Sequence, residues 1–172
     1  QRFNGVYGDV FKMPESYIPK VGARIMSLTD PAAKMSKSDN GDTGRITLMD
    51  DPAAIMKQFK RAITDSDTER CVRYDPENKP GVANLMTIYS AATGRSYAEI
   101  EQEFDGLGYG KFKPAVGEAV VEMIRPIQEE TRRILADKAY LESVYRTGAE
   151  RASRAAEKTL RKVYKKIGFA AR

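Results

Sequence analysis

Histidine is absent from this 172-residue sequence, and Cys71 is its single cysteine. Those two shortages exclude His-dependent triads, thiol–imidazole pairs, zinc clusters and any internal disulfide. One unpaired thiol suits a reducing compartment, so a cytoplasmic location is expected. Long apolar runs are missing too; the longest are a few residues, far short of the ~20 that a membrane-spanning helix takes. The opening residues Gln1-Arg2-Phe3-Asn4-Gly5 carry neither a basic leader nor an apolar run, and there is no initiator methionine. The expectation is therefore a piece of a longer protein. What is present is ordinary for a folded chain: 41% hydrophobic and 31% charged residues, enough to exclude a disordered tail.

The net charge of +5 is unevenly placed. From Arg146 onward nine basic residues face only Glu150 and Glu157, so the tail carries +7 and all that precedes it −2. Such a tail can attract nucleic-acid phosphates. It can equally complement a helix C-terminus while facing water.

Residues 1–22 read as irregular, broken by Gly5, Gly8, Pro14, Pro19 and Gly22. Ala23 to Leu28 reads as a short strand ending at Asp30-Pro31, and 30–44 as a long mobile loop of small, polar and charged residues. Helical periodicity follows. Asp50 or Asp51 caps a first helix with Ile55, Phe59 and Ile63 on one face. A second buries Val82, Leu85, Met86 and Tyr89 and ends at Gly94. Ser96 and Glu99 make a capping box for a short third helix. A fourth is expected from Pro114 to Leu135, with Val116, Val120, Met123, Ile127 and Ile134 inward and a kink or break at Pro126. The last runs from Tyr140 to Ile167, with Gly148 the place for an interruption. Its apolar stripe is Ala152, Ala156, Leu160, Val163 and Ile167; Arg151, Arg154, Lys158, Arg161 and Lys165 make a basic one. Phe59 and Tyr89 are read as core, Cys71 as a small, partly buried side chain. Arg73, Tyr74 and Lys79 fall in a loop between helices, open to two readings, a structural turn or a contact with nucleic acid.

One strand makes no sheet. The fold expected is mainly α: a helical bundle over 45–172, preceded in 1–44 by the last strand and lysine loop of an incomplete Rossmann-type α/β domain.

Lys34-Met35-Ser36-Lys37-Ser38 is the segment with most chemistry in it. Two ammonium groups three residues apart, among small hydroxyl residues, offer donors to a polyphosphate and no negative charge to repel it. Flanking Asp30-Pro31 and Asn40-Gly41 let it close and open. A plain solvated lysine loop has the same composition.

A Lys-Met-Ser-Lys-Ser segment between a strand and a helical domain resembles class I aminoacyl-tRNA synthetases, and more narrowly the bacterial tryptophanyl-tRNA synthetases. The likeness continues through Ile18 to Leu28, Thr64-Asp65-Ser66, Val72 to Asp75, Lys79 to Leu85, Gly108-Tyr109-Gly110, Phe112-Lys113 and Arg125 to Gln128. It implies activation of tryptophan by ATP to the adenylate, then transfer to tRNA(Trp). By position, Lys34 and Lys37 would hold the phosphates, Lys37 first for transition-state charge. Met35, Ser36 and Ser38 would shape the loop and contact ATP, and Ile25 would join the adenine site. Magnesium would arrive with ATP, since no carboxylate cluster looks like a dedicated metal cage. The complete enzyme would be a homodimer. The family's first, histidine-containing signature has no counterpart here, which makes this the C-terminal half and inactive alone. Two alternatives remain at this stage: a stand-alone helical module binding RNA or protein, and a fragment of a tyrosyl-tRNA synthetase.

Overall fold

The computed structural model describes residues 1–19, 21–37, 43–68 and 71–170. Six helices follow in order: α1 (Arg2–Tyr7), α2 (Pro52–Arg61), α3 (Pro80–Thr93), α4 (Tyr97–Glu103), α5 (Tyr109–Ala136) and α6 (Lys138–Ile167). Among the described residues the only β pairing is one antiparallel bridge, Met26 to Lys34. The chain is thus mainly α, as expected, but the strand foreseen over Ala23–Leu28 is reduced to that bridge. Residues 18–130 form one compact unit, and residues 1–17 with 131–172 form another.

In the unit 18–130, Asp51 caps α2 by accepting from the Ala53 amide at 2.8 Å, and Pro52 supplies the first turn, where its missing N–H costs nothing. The helix turns out at Ala62. Ile63, expected on the same face as Ile55 and Phe59, therefore lies beyond the helix and is half exposed, while the other two are buried. The second helix matches its pattern: Val82, Leu85, Met86 and Tyr89 are buried, and Gly94 closes α3 in the left-handed conformation. α4 begins on the reciprocal capping box of Ser96 and Glu99.

α5 departs from its reading in where it starts and in part of its inward face. It starts at Tyr109, so that Pro114 lies inside it. It also runs through Pro126 without a break. Its buried face is Phe112, Val116, Val120, Ile124 and Gln128: Val116 and Val120 are inward as expected, whereas Met123 and Ile127 are exposed. Gln128 is a polar side chain on that core face. Its amide donates to the carbonyls of Leu48 at 2.7 Å and Asp50 at 3.0 Å, so it ties α5 to the entry of α2.

These helices share one apolar cluster with Leu28 and Cys71. Phe112 lies at its centre, edge-on to Phe104 at 5.0 Å and to Tyr89 at 6.3 Å. Cys71 packs there as a small buried side chain.

In the unit of 1–17 and 131–172, the opening is not wholly irregular. α1 forms because Asn4 folds the following chain back onto it, donating to the Phe11 carbonyl at 2.7 Å and accepting from the Phe11 amide at 3.0 Å. Phe3 packs against both Tyr7 and Phe11. α6 is capped by Asp137, passes Gly148 without interruption and ends at Gly168. None of its residues is buried. Val163 and Ile167 of the expected apolar stripe are half-buried, and Leu160 is exposed.

Candidate functional site

The lysine segment is the second arm of a short hairpin. Asp30-Pro31 makes the turn: the Asp30 carboxylate accepts from the Ala32 amide at 3.1 Å, and its carbonyl accepts from Ala33 at 3.0 Å. Two rungs tie the arms, Ser27 N–H to the Ala33 carbonyl at 2.9 Å and Met35 N–H to the Ile25 carbonyl at 3.0 Å. Lys34 sits between them opposite Met26. The far end of the segment is fixed as well, because Gly44 returns to accept from the Leu28 amide at 2.9 Å. A Cβ at Gly44 would stand 2.4 Å from the Ser27 hydroxyl and 2.7 Å from that of Thr29, so a larger residue at this return would have to displace those side chains.

The hairpin thus joins Ile25, Lys34 and Met35 directly, with Ser36 and Lys37 just past its last rung. The Lys34 and Lys37 side chains are exposed, Ser36 and Ile25 are half-buried, and Met35 packs against the core. The Lys37 carbonyl accepts from the Arg45 guanidinium at 2.5 Å, a link from the second lysine to the return of the loop. Ser38 lies outside the described residues. Chemically, the arrangement presents two mobile cations on a backbone anchored at both ends, which suits contact with a polyanion.

Two groups behind the hairpin escaped the sequence reading. Asn84, buried in α3, accepts from the Met26 amide and donates to the Met26 carbonyl, both at 2.9 Å. The available signal was a polar residue within the otherwise apolar run Val82-Ala83-Asn84-Leu85-Met86. The second is Lys79, read as a turn residue but in fact the buried N-cap position of α3. Its ammonium lies 3.1 Å from Asp65 and 2.5 Å from Asp67. The Tyr109 hydroxyl completes the cluster, bonded to Asp65 at 2.7 Å and to the Cys71 carbonyl at 3.0 Å.

Electrostatics in this cluster are consistent with charged partners. Burial pushes the Asp65 carboxyl up, but hydrogen bonds from Tyr109, the Asp67 amide and Lys79 outweigh it and hold the group below its ordinary value. Burial pulls the Lys79 ammonium down, and the bonds it donates to the Asp67 and Asp65 carboxylates, with their negative charge, more than reverse this. Tyr109 is pushed upward by burial and by the Asp65 carboxylate, so it stays a neutral donor.

Two arginines of the basic stripe of α6, Arg154 and Arg161, and Arg146 before it, pair along the helix. Arg146, Arg154 and Arg161 each reach the glutamate one turn earlier, at 2.8, 3.8 and 3.6 Å. All three side chains are well exposed, the ordinary geometry of a solvated helix face.

Residues 1–125 match the family described as class I tRNA synthetases (W and Y). With that match over most of its length, the chain belongs to this family. Solved structures similar to the chain include tryptophanyl enzymes. That of Mycoplasma pneumoniae is 28% identical with a TM-score of 0.87, the overlap covering 98% of this chain and 52% of that one. That of Campylobacter jejuni, complexed with ADP and tryptophan, is 27% identical with a TM-score of 0.66, covering 98% and 50%. A second Campylobacter jejuni structure is 26% identical with a TM-score of 0.60, covering 96% and 49%. The chain therefore spans about half the length of the structures it matches. No described helix is long and apolar enough to cross a membrane.

Proposed function

We propose that this chain forms the C-terminal half of a tryptophan–tRNA ligase and supplies its ATP-phosphate loop and helical tRNA-binding part. The observation that carries the reading is the anchored hairpin with exposed Lys34 and Lys37, in a chain of the tryptophanyl and tyrosyl family. A similar enzyme solved with ADP and tryptophan supports the choice of ligands. In this reading residues 1–44 end a Rossmann-type nucleotide-binding domain, and residues 45–172 face tRNA(Trp). The amino-acid pocket lies in the other half, and the complete enzyme is a cytoplasmic homodimer.

The reaction has two steps. The tryptophan carboxylate attacks the α-phosphorus of ATP, and the bond to the bridging oxygen breaks as pyrophosphate leaves with its magnesium. A ribose hydroxyl at the 3′ end of tRNA then attacks the acyl carbon and releases AMP. Negative charge accumulates on the leaving pyrophosphate in the first step. Lys34 and Lys37 meet that charge, Lys37 chiefly in the transition state, while Met35 and Ser36 shape the backbone and Ser38 adds a hydroxyl contact. Ile25 offers apolar surface to the adenine.

Lys37→Ala in the complete enzyme tests this assignment. Single-turnover adenylate formation should fall on the order of 100-fold, with ATP affinity changed only a few-fold. Equal losses in both would mean that Lys37 binds ATP without favouring the transition state.

A further inference from the structure

We propose that Asn84 is a positioning residue for the lysine hairpin, taking the place of a missing neighbour strand and so setting where Lys34 and Lys37 meet ATP. The inference rests on the reading of that hairpin as the phosphate loop. In an antiparallel pair, residues whose amide and carbonyl form rungs alternate with residues whose amide and carbonyl point the other way. Ile25 and Ser27 make the rungs to Met35 and Ala33, so Met26 between them turns its N–H and C=O away from Lys34. In a sheet a further strand would receive them. Here the Asn84 carboxamide does so alone, donating one bond and accepting one, each of 2.9 Å.

The geometry is costly to replace. Asn84 is only 6% exposed, so losing either bond strands a polar group away from water. Its helix is itself held close to the same region: a Cβ at Gly81 would meet the Ile63 carbonyl at 2.2 Å, and Lys79 is fixed by Asp65 and Asp67. Asn84 therefore joins α3 to the first arm of the hairpin, at Met26, the residue paired with Lys34 on the other arm. The narrow gap beside it is lined by Ser27, Leu28 and Pro31 of the hairpin, Ala62 and Ile63 after α2, and Gly81 and Leu85 of its own helix. None of these ionises.

Asn84→Asp is the discriminating variant because it keeps the size of the side chain. Ionised, it retains the bond from the Met26 amide but sets a lone pair against the Met26 carbonyl; protonated, it restores the donor. Amide hydrogen exchange on this 172-residue chain should show the Ser27 and Met35 amides losing protection at least tenfold at pH 7.5, with amides of α5 unchanged. The loss should shrink relative to wild type at pH 5.5. In the complete enzyme, adenylate formation by Asn84→Asp should fall at least tenfold at pH 7.5, with the KM for tryptophan within twofold of wild type. Asn84→Ala should lose both bonds at every pH and show no recovery.

Unchanged exchange at Ser27 and Met35 in both variants would overturn the proposal, whatever the activity. So would a loosened hairpin with full adenylate formation, in an enzyme that Lys37→Ala impairs. If neither Asn84→Asp nor Lys37→Ala slows adenylate formation, the phosphate-loop reading itself fails, and the proposal with it.

Discussion

Lys79 shows how one residue reverses meaning between sequence and fold. In the sequence it stands among Pro76, Asn78 and Pro80, where a lysine reads as a solvated turn residue. In the structure its side chain is 4% exposed between two carboxylates. Asp65 is held below its ordinary value of 3.8, so its contribution is complete above that pH and is lost as pH falls through the lower, folded value. Lys79 is held above its ordinary 10.5, so its contribution is complete below that pH and disappears only in strong base. Lys79→Met should therefore cost about 2 kcal/mol at pH 7, less than for a fully buried pair because Asp67 is more than half exposed. Urea unfolding at pH 7 and at pH 3 would show the gap from wild type narrowing in acid as Asp65 protonates. A gap of the same size at both pH values would mean that lost packing, not the ion pair, is responsible.

At the scale of elements, periodicity and capping were legible wherever the signal was local. Asp51 with Pro52, the Ser96–Glu99 box and Gly94 each sit where the sequence places them, because a cap involves residues within four positions of one another. The face of α5 was legible at Val116 and Val120 but not beyond them, where Gln128 bonds to carbonyls about 80 residues earlier. The strand of 23–28 was not either. Its outer edge is satisfied by Asn84, Gly44 and Ile63 rather than by another strand, and no local pattern encodes that. Gly148 gives a test at this scale. It lies in the middle of α6 with nothing within 4 Å of where a Cβ would be, and its helix is unbroken. Gly148→Ala should stabilise the chain by about 0.5–1 kcal/mol, seen as a higher midpoint of thermal unfolding. A lower midpoint would show that the added methyl disturbs a contact made by α6.

For the whole molecule, the resemblance along the chain was legible from residues alone, and the family match agrees with it. The support behind that segment was hidden, since Asn84 and Met26 are 58 positions apart and meet only once α3 packs. Such support matters to function because a transition state is stabilised by groups already in place when charge develops. In the proposed reading, an exposed lysine on a loose loop would lose much of its effect by having to find the phosphates first. The hairpin, its Asn84 pairing and the fixed start of α3 together give the two lysines a defined origin.

The most direct test is amino-acid-dependent ATP–pyrophosphate exchange by the complete parent protein, run with tryptophan and with tyrosine. Exchange should require tryptophan, stay at background with tyrosine, and drop sharply on Lys37→Ala. Exchange driven by tyrosine would transfer the chain to the tyrosyl branch of its family. The absence of exchange with either amino acid, from a folded and full-length parent, would contradict the ligase assignment.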